Sequence, residues 1–466
     1  MSLDATRNYD LIVIGAGPAG MTAAATAAAQ GLSVCVIDEQ KAPGGQIWRG
    51  IEGNAGTAIG RALGPDYLKG AATAQALRQS GAELCLGAQV WQIEPGFRVF
   101  LSQDGRSRRI DGRALLLATG AQERPNPFPG WTLPGVMTVG AAQILLKTAQ
   151  SIPDGPVWVA GTGPLPLLYM AQLLDQGGRI AGFIDTAPAA NFRRALPMAP
   201  SLLRAPKGLL KGLSWLRKLR RHGVPHYKAA HGLEAIGDGC LQRLRFTTGK
   251  GQRIEAEAAL LLAHEGVVPS VHMGMALGCA HDWREDQACF VPRLDGWGET
   301  SVPGVFVAGD GGGILGADAA VELGRIAGLG IARKLAVLDD ARANDAAAPA
   351  RKVLRKLAAM RPFLDALYRP RPEVFLPAPD TVVCRCECQS AGAISAAAAR
   401  GAPDPNQVKI ATRAGMGPRQ GRQCGYTVAA LVAQAHGQPM GSVGYLNIRA
   451  PLKPITLGEA RTLGEA

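Results

Sequence analysis

The sequence predicts an α/β fold in which two strand–turn–helix–strand units are followed by a small C-terminal domain that carries a group of cysteines. Three observations support this prediction. A buried strand runs into a glycine-rich turn near residue 15, a second such unit begins near residue 156, and three cysteines fall within five positions from Cys384. The chain has 60 glycines in 466 residues, and this excess suits a fold with many tight strand-to-helix turns.

The first unit predicts a dinucleotide site. A buried strand over 11–14 runs into the turn Gly15-Ala-Gly17-Pro-Ala-Gly20, which is followed by an alanine-rich helix and a second strand over 34–37. In this motif the first glycine permits the tight bend, the second lets a pyrophosphate approach the backbone, and the third lets the helix pack close to the sheet. Asp38 closes the second strand, where it can accept ribose hydroxyls, and Glu39 is the alternative acceptor.

Two later segments are predicted to return to this site. A strand over 115–118 ends in Thr119-Gly120, and a strand over 305–308 ends in Gly309-Asp310 before an alanine-rich helix. Asp310 could accept a hydrogen bond from a ribityl hydroxyl, and the helix N-terminus could face a phosphate or a flavin. In this order the segments resemble the FAD domain of flavoproteins that contain two dinucleotide-binding domains.

The second unit has the same spacing but a different third position. A strand over 156–160 leads into Gly161-Thr-Gly163-Pro-Leu-Pro166, and Asp185 closes the next strand. Proline suits the first turn of a helix, but a helix without glycine at this position must lie further from its strand. Three alternatives remain open for this unit: it binds NAD(P), it binds another adenine nucleotide such as ATP, or it binds nothing.

The net charge of +13 is concentrated in one segment. Residues 186–233 contain no acidic residue, and their basic residues are Arg193, Arg194, Arg204, Lys207, Lys211, Arg217, Lys218, Arg220, Arg221 and Lys228. Leu209, Leu213 and Leu216 recur at helical spacing, which predicts an amphipathic helix. A solvated basic face, a contact with an acidic partner subunit, and a contact with anionic lipid or nucleic acid all remain open, although no motif favours nucleic acid.

Further segments carry a resemblance to a known family. They are residues 43–49, which include Gly45 and Gln46, and residues 118–125, 128–136, 264–269, 361–368 and 451–457, together with the cysteine segment. With these segments, nearly the whole chain resembles the large FAD-containing alpha subunit of bacterial heteromeric amine dehydrogenases. That group includes opine oxidases, D-hydroxyproline dehydrogenase and hydrogen cyanide synthase.

The resemblance implies a pyridine nucleotide-disulfide reductase-like scaffold that carries FAD and relays electrons within a hetero-oligomer. In such enzymes a secondary amine, such as an opine, D-hydroxyproline or a related imino acid, is oxidised on a separate D-amino-acid-oxidase-like beta flavoprotein subunit. Some members also have an FMN at an interface between chains and a small ferredoxin-like subunit. Gly45 and Gln46 are therefore expected near the flavin, and no catalytic residue is assigned to this chain. Cys35 and Cys85 are the only cysteines before residue 240, which disfavours a dithiol reductase.

The cysteine segment is similar to the BFD-like [2Fe–2S] domain of this family, in which Cys-x-Cys is followed by Cys-x4-Cys. Cys384, Cys386 and Cys424 match three of the four ligands, and Arg419 stands at the fourth position. Cys388 is the candidate replacement ligand, although it does not lie where the missing ligand belongs. An intact cluster and a cluster-free domain in which Arg419 fills the vacated space both remain open. The scattered cysteines Cys35, Cys85, Cys240, Cys279 and Cys289 are expected to be small buried side chains.

These patterns predict the domain organisation. An FAD-binding domain is expected over residues 1–148 and 286–340, and a second nucleotide-binding domain over 149–285. A linker is expected over 341–380, because four prolines between residues 370 and 379 favour an extended chain. The cysteine domain is expected over 381–445 and a C-terminal strap over 446–466.

The sequence also limits location and leaves two other functions open. The first residues lack an apolar signal core, and no segment approaches the roughly 18 uncharged apolar residues of a membrane span. A cytoplasmic protein without an integral membrane segment and without a nucleic-acid partner is therefore expected. The other functions are a self-contained NAD(P)H-dependent ferredoxin-type reductase and a non-catalytic, flavin-bearing assembly subunit.

Overall fold

A computed structural model describes residues 8–204 and 206–464 of the chain as an α/β protein. The strands are β1 (Asn8–Ile14), β2 (Val34–Asp38), β3 (Glu83–Leu86), β4 (Gln89–Glu94), β5 (Arg98–Gln103), β6 (Arg106–Leu117), β7 (Ala121–Glu123), β8 (Val136–Thr138), β9 (Val157–Thr162), β10 (Ile180–Asp185), β11 (His226–Tyr227), β12 (His231–Ile236), β13 (Arg243–Thr247), β14 (Arg253–Glu257), β15 (Leu261–Glu265), β16 (Val267–Pro269), β17 (His281–Arg284), β18 (Cys289–Pro292), β19 (Val305–Val307), β20 (Val382–Cys384) and β21 (Gln389–Ser390).

The α-helices are α1 (Pro18–Ala28), α2 (Ile51–Asn54), α3 (Ala58–Leu63), α4 (Pro65–Leu68), α5 (Gly70–Gln79), α6 (Val139–Ala149), α7 (Pro164–Asp175), α8 (Ala189–Ala195), α9 (Pro206–Arg221), α10 (His272–Ala276), α11 (Ala317–Lys334), α12 (Asp340–Ala358), α13 (Arg361–Leu367), α14 (Ala391–Ala399), α15 (Pro405–Thr412), α16 (Gly425–His436), α17 (Met440–Val443) and α18 (Leu457–Arg461). A 3-10 segment over Leu196–Arg204 joins α8 to α9. The side chains of Arg204 and Lys207 lie outside the described part of the chain.

The first sheet has the strand order β3-β2-β1-β6-β5-β4, and β19 also pairs with β6. Its β1, β2, β3, β6 and β19 run parallel, so their carboxyl ends meet at one edge. Helices α1 and α11 pack closely against each other beside this sheet, because glycines line their contact. A Cβ added at Gly324 would lie 2.2 Å from the carbonyl oxygen of Ala19. The predicted strands and helices of the first unit therefore form as expected.

The second sheet has the parallel strand order β11-β10-β9-β15-β8. Helix α7 follows β9, and α6 packs beside α7 and β15. The antiparallel pair β7 and β16 connects the two sheets, and an antiparallel sheet of β12, β13 and β14 lies beyond the second sheet. The molecule thus contains two nucleotide-binding-type sheets whose carboxyl edges meet between them.

The expected linker over 341–380 is wrong for its first part, because α12 and α13 occupy residues 340–367. Helix α12 packs along α11 and buries Ala343, Ala347 and Ala350, which recur on one helical face. The side chain of Asp339 accepts a hydrogen bond from the backbone N–H of Arg342 at 2.8 Å and so begins the helix. The alanines of this segment therefore form a close helix–helix contact. The proline-rich part that follows contains only a short 3-10 turn over Pro372–Val374.

The C-terminal region forms a small helical domain and then returns to the first sheet. Helices α14, α15 and α16 share an apolar core that includes Ile394, Val408 and Val428. After this core the chain crosses the first sheet, where the backbone N–H of Leu452 donates to the carbonyl oxygen of Trp91 at 2.6 Å. The backbone N–H of Ser107 donates to Thr462 at 2.8 Å further along. Within the described ranges, no helix has the length and apolar character needed to cross a membrane.

Candidate functional site

The glycine turn of the first unit has the geometry that the sequence predicts. Gly15 has a φ of +108°, and a Cβ there would lie 2.4 Å from the carbonyl oxygen of Ala118. A Cβ at Gly20 would lie 1.8 Å from the carbonyl oxygen of Gly15. Only glycine fits either position, because these neighbours are backbone atoms that cannot move aside. Helix α1 begins at Pro18, so its free N–H groups face the carboxyl edge of the sheet.

A cavity of about 880 Å³ opens at this edge and extends toward the second sheet. Its volume lies within the range of about 300–1,000 Å³ that is usual for cofactor and ligand sites. Most residues predicted for the site line it: Gly15, Gly17, Asp38, Glu39, Gly45, Gln46, Thr119, Gly120, Gly163, Gly309 and Asp310. Gly20, Gly161 and Asp185 are not in its wall. Gly20 contributes instead by letting α1 pack against the turn, because a Cβ there would lie 1.8 Å from the carbonyl oxygen of Gly15.

Asp38 is fixed by backbone hydrogen bonds at the end of β2. Its carboxylate accepts from the N–H of Ala16 at 2.6 Å and from the N–H of Gln40 at 2.7 Å. Burial raises the pKa of Asp38, and these amide hydrogen bonds oppose that shift. Each oxygen keeps a free lone pair, so the carboxylate can still accept hydroxyl donors from a ribose. Glu39, the alternative, forms an ion pair with Lys453 of the C-terminal segment.

Asp310 holds the start of α11. Its Oδ1 accepts hydrogen bonds from the backbone N–H groups of Leu315 and Gly316, each at 2.9 Å. Gly316 precedes the helix with a φ of +96°, and Gly309 lies so close to α1 that a Cβ would be 2.9 Å from Ala19. The second oxygen of Asp310 remains available at the cavity wall. The arrangement supports the predicted position of Asp310 beside a ligand.

The cavity is also lined by cations that were not predicted from the sequence as site residues. Arg49, Arg422 and Lys453 all lie in its wall, and Arg49 is close enough to Asp38 and Glu39 to interact with both charges. Arg422 donates to the carbonyl oxygen of Leu452 at 2.9 Å, so it connects the cysteine domain to the strap. These three cations balance acidic groups and favour an anionic ligand such as a pyrophosphate. Their sequence separation is large, and no local motif marks Arg422 or Lys453.

Lys147 of α6 holds the loop that carries Gly45 and Gln46. Its buried ammonium donates to the carbonyl oxygens of Gln46 at 3.1 Å and Ile47 at 3.0 Å, and to Oε1 of Gln143 at 3.0 Å. Burial lowers the pKa of Lys147 to about 7. Since all three N–H bonds find acceptors, this side chain positions the loop rather than contacting a ligand. Gly45 and Gln46 are therefore held in place by Lys147, which lies far from them in the sequence.

The second unit is less open than the first. Gly161 has a φ of +139°, and a Cβ there would lie 1.7 Å from the carbonyl oxygen of His264, so β15 closes over the turn. Asp185 already contacts Nε2 of His226 at 3.1 Å and accepts from the N–H of Ala187 at 3.1 Å. Asn191 of α8 donates to the carbonyl oxygen of Arg369 at 2.8 Å, which fastens the end of α13 across this region.

Four buried polar atoms that belong to residues of the cavity wall have no hydrogen-bond partner within the described ranges. They are Oγ1 of Thr162, Oε2 of Glu265, Nε2 of His272 and Nε of Arg361. Burial lowers the pKa of His272 to about 3, so its imidazole is neutral at physiological pH. Buried polar groups are nearly always paired in folded proteins. These atoms therefore indicate that the cavity is built to receive a polar ligand.

The cysteine segment gathers three of its thiols. Cys384 and Cys424 are buried and hydrogen bonded to each other, and that bond lowers the pKa of Cys384 to about 5. Nη1 of Arg419 lies 3.3 Å from Sγ of Cys386. Cys388 is exposed at a φ of +51° and does not line the crevice between the others. Among the scattered cysteines, Cys240 is exposed, contrary to expectation, because it follows the turn before β13.

These residues do not fit an all-cysteine [2Fe–2S] cluster. Such a cluster needs four protein ligands, usually thiolates, around an iron pair. The crevice among Cys384, Cys386, Arg419 and Cys424 has a volume of about 10 Å³, about one water molecule. In the described part of the chain, no three His, Cys, Asp or Glu side chains are placed where they could hold one metal ion. The guanidinium of Arg419 lies beside Sγ of Cys386, at the position where the resembled cysteine pattern has its fourth ligand.

Comparisons with known proteins agree with this architecture. The pyridine nucleotide-disulphide oxidoreductase family matches residues 9–192, and the sarcosine oxidase A3 domain matches residues 383–461. The chain is 46% identical to the opine oxidase A-type subunit of Rhizobium meliloti (strain 1021), over 98% of this chain and 99% of that protein. It is 33% identical to the HcnB subunit of hydrogen cyanide synthase from Pseudomonas protegens, over 95% of this chain and 96% of that protein.

The crystal structure of L-proline dehydrogenase from P. horikoshii has a similar fold. It superposes with a TM-score of 0.72 at 20% identity, covering 97% of this chain and 79% of that one. The predicted family resemblance and the predicted disulfide reductase-like fold class are therefore confirmed. The BFD-like assignment of the C-terminal domain stays a prediction.

Proposed function

The chain belongs to the family of A-type opine oxidase subunits, and from that premise we propose that it is the FAD-containing subunit of a hetero-oligomeric amine dehydrogenase. The enzyme is an FAD-dependent oxidoreductase acting on CH–NH donors, and its substrate is an opine, D-hydroxyproline or a related imino acid. The observation that supports this most is the cavity at the carboxyl edge of the first sheet, lined by the glycine turn, Asp38 and Asp310.

The residues of the cavity fit FAD. Gly15 and Gly17 would let a pyrophosphate approach α1, Asp38 would accept ribose hydroxyls, and Asp310 would accept a hydrogen bond from the ribityl chain. Arg49 would offset the phosphate charge, and Lys147 holds the backbone of Gln46 in place in the cavity wall. When bound, FAD supplies hydride and single-electron chemistry.

We assign the oxidation of the amine to a separate D-amino-acid-oxidase-like beta flavoprotein subunit, with this chain relaying the electrons. In the cavity wall, Nδ1 of His264 already contacts Oε1 of Glu123 at 2.7 Å, so this histidine is engaged within the chain. An FMN at an interface between chains and a small ferredoxin-like subunit complete the proposed assembly. The names of the opine oxidase and HcnB relatives designate subunits, which supports a multi-subunit enzyme.

The experiment that tests this division is a comparison of the full chain alone with the co-expressed assembly. The chain alone is expected to carry one FAD and to oxidise no opine or D-hydroxyproline in a dye-reduction assay, whereas the assembly is active. Amine oxidation by the chain alone would contradict the division of labour. A purified chain without FAD would contradict the cofactor assignment itself.

We further propose that the second unit binds no nicotinamide nucleotide. Pro166 replaces the glycine of the motif, Asp185 is engaged with His226, and the end of α13 is fastened across the region. The competing function, a self-contained NAD(P)H-dependent reductase, requires rapid bleaching of the flavin band by NADH under anaerobic conditions. We expect no bleaching by NADH, with full bleaching by dithionite as the control.

We propose that the C-terminal domain is free of iron in this chain and is retained for packing. It contributes Arg422 to the cavity wall and directs the strap across the first sheet. Iron content should be negligible in the wild type and should rise only in Arg419→Cys. Iron in the wild type that is lost in Cys388→Ser would instead establish Cys388 as the fourth ligand.

A non-catalytic assembly role is favoured only if Asp310→Ala disturbs assembly while turnover of the assembled fraction is unchanged.

A further inference from the structure

Three sulfur atoms of the C-terminal domain meet around one small crevice, apart from the cavity between the two sheets. Cys384 ends β20, Cys386 follows it, and Cys424 immediately precedes α16, so the fold brings the two ends of the domain together. All three cysteines line the crevice, and none of them lines the cavity. Cys384 and Cys424 are each 3% exposed, whereas Cys386 is partly exposed. The crevice is therefore reached from the side of Cys386.

The thiols of Cys384 and Cys424 are in contact, since they are hydrogen bonded to each other. Cys386 is held differently, because Nη1 of Arg419 lies 3.3 Å from its Sγ. Cys388 is exposed and lies outside the crevice. A disulfide draws two sulfurs in contact together to about 2 Å. Cys384 and Cys424 are therefore the two sulfurs placed to join.

The loop that covers the crevice approaches the sulfurs closely. Gly415 has a φ of +93°, and a Cβ there would lie 3.9 Å from Sγ of Cys424. A Cβ at Gly417 would lie 2.3 Å from the Cβ of Cys386. Backbone N–H groups, that of Gly415 among them, hydrogen bond to Sγ of Cys384 and hold that sulfur in place. The remaining space is about 10 Å³, about one water molecule, so only a very small reactant fits beside the sulfurs.

We propose that Cys384 and Cys424 form a dithiol that hydrogen peroxide oxidises to a disulfide. The proposal rests on the iron-free state proposed above for the C-terminal domain, because iron would occupy the same sulfurs. Hydrogen peroxide is little larger than water and suits the crevice, whereas oxidised glutathione is too large to enter it. Cysteines that respond to peroxide commonly have a second, resolving thiol beside them.

The oxidation takes two balanced steps. In the first step, one of the two sulfurs attacks an oxygen of the peroxide. An S–O bond forms as the O–O bond breaks, and one water leaves with the thiol proton, which gives a sulfenic acid. In the second step, the other sulfur attacks the sulfenic acid, an S–S bond forms as the S–O bond breaks, and a second water leaves. The two thiols lose two electrons, and the peroxide is reduced to water.

The disulfide joins the two ends of the domain core. It connects β20 to the start of α16, and α14 and α15 lie in the loop that it closes. Closing such a loop restricts the unfolded chain and so stabilises the folded domain. Arg422, which lines the cavity and donates to the carbonyl oxygen of Leu452, lies just before Cys424. Oxidation therefore tightens the domain that supplies this part of the cavity wall.

The test uses the full chain, purified with a reductant, freed of it and treated with a stoichiometric amount of hydrogen peroxide under nitrogen. Iron is measured on the same sample. After treatment the denatured chain should have lost two of its nine thiols. Peptide mapping without reductant should find Cys384 linked to Cys424, and dithiothreitol should restore both thiols. Oxidised glutathione at the same concentration should form this cross-link much more slowly.

Serine variants separate this pair from the other cysteines. Cys384→Ser and Cys424→Ser should each abolish the cross-link. Cys240→Ser and Cys388→Ser remove exposed thiols and should form the cross-link as the wild type does. The peptide map of the wild type decides the pairing even where a serine variant fails to fold.

Two failures are distinguishable. Iron in the wild type that is lost in Cys384→Ser would contradict the iron-free domain and overturn this proposal with it. An iron-free chain that keeps all its thiols in peroxide, or that links Cys386 to Cys424, would overturn this proposal alone. Equal rates with peroxide and with oxidised glutathione would overturn the choice of peroxide as the oxidant.

Discussion

The two strand–turn–helix–strand units share a motif but differ in how closely the helix packs against the turn that precedes it. In the first unit Gly20 lies against the backbone of Gly15, and the turn opens onto the cavity. In the second unit Pro166 takes the third position, and neither Gly161 nor Asp185 reaches the cavity. The acid of the first unit keeps lone pairs for a ribose, whereas the acid of the second contacts His226. A shared spacing therefore does not imply a shared ligand.

The largest expected effect comes from filling the closest contact of the first unit. Gly20→Ala places a Cβ 1.8 Å from a backbone oxygen, so α1 must move away from the sheet. We expect loss of FAD, measured by absorbance per purified chain. Gly163→Ala in the second unit meets only the ring of His264, at the ordinary contact distance of 3.9 Å. Its backbone, with φ +107° and ψ 177°, lies in a region nearly confined to glycine, so the strain costs on the order of 1–3 kcal/mol, and FAD should be retained. Gly155→Ala, which meets nothing within 4 Å, is the neutral control.

The next effect concerns Lys147, through which α6 supports the first site. Burial lowers its pKa to about 7, below the ordinary value near 10.4, so the unfolded chain binds a proton between these pH values that the folded chain does not. Stability should therefore rise with pH through this window, by up to about 4 kcal/mol relative to Lys147→Met. Urea unfolding of both proteins at pH 7, 8.5 and 10 measures the difference. A constant difference across the window would contradict the assigned shift.

The two strand-end acids give a direct comparison of the units. Asp38→Asn replaces one acceptor oxygen with a donor that faces a backbone N–H, so FAD affinity should fall on the order of 10- to 100-fold. Asp185→Asn should leave FAD affinity unchanged, since Asp185 is not in the cavity wall. Fluorescence titration of the apoprotein with FAD measures both. Equal losses would show that the second unit shares the flavin.

The smallest effect is expected at the strap. The ion pair of Lys453 with Glu39 is partly exposed, and exposed pairs usually contribute no more than about 1 kcal/mol. Lys453→Gln should therefore speed FAD release by about fivefold or less, measured by stopped-flow transfer of the flavin to an excess of an FAD-binding apoprotein. Release faster than that by a large factor would show that the strap, more than the glycine turn, retains the cofactor.

Much of the fold was predictable because its signals are local. Strand, glycine turn, helix and acid follow one another within about 30 residues of Asn8, and each was recognised with small errors at the ends. The failures concern segments whose structure depends on distant neighbours. Residues 340–358 are poor in large apolar side chains, and only the presence of α11 makes their small alanines a packing surface. The fold of the C-terminal region brings Arg422 and Lys453 to the cavity, and no local sequence motif predicts that position.

The sequence by itself determined the family and the two nucleotide-type units, and it predicted that Arg419 stands where the resembled cysteine pattern has a ligand, because residue identity and spacing carry that information. Tertiary structure decided what each feature does. It showed that Arg419 contacts Cys386, that Asp185 is already engaged, and that the leucines of α9 face outward. The physical reason is that a hydrogen-bond partner or a buried face is supplied by residues far apart in the chain, and only the folded chain brings them together.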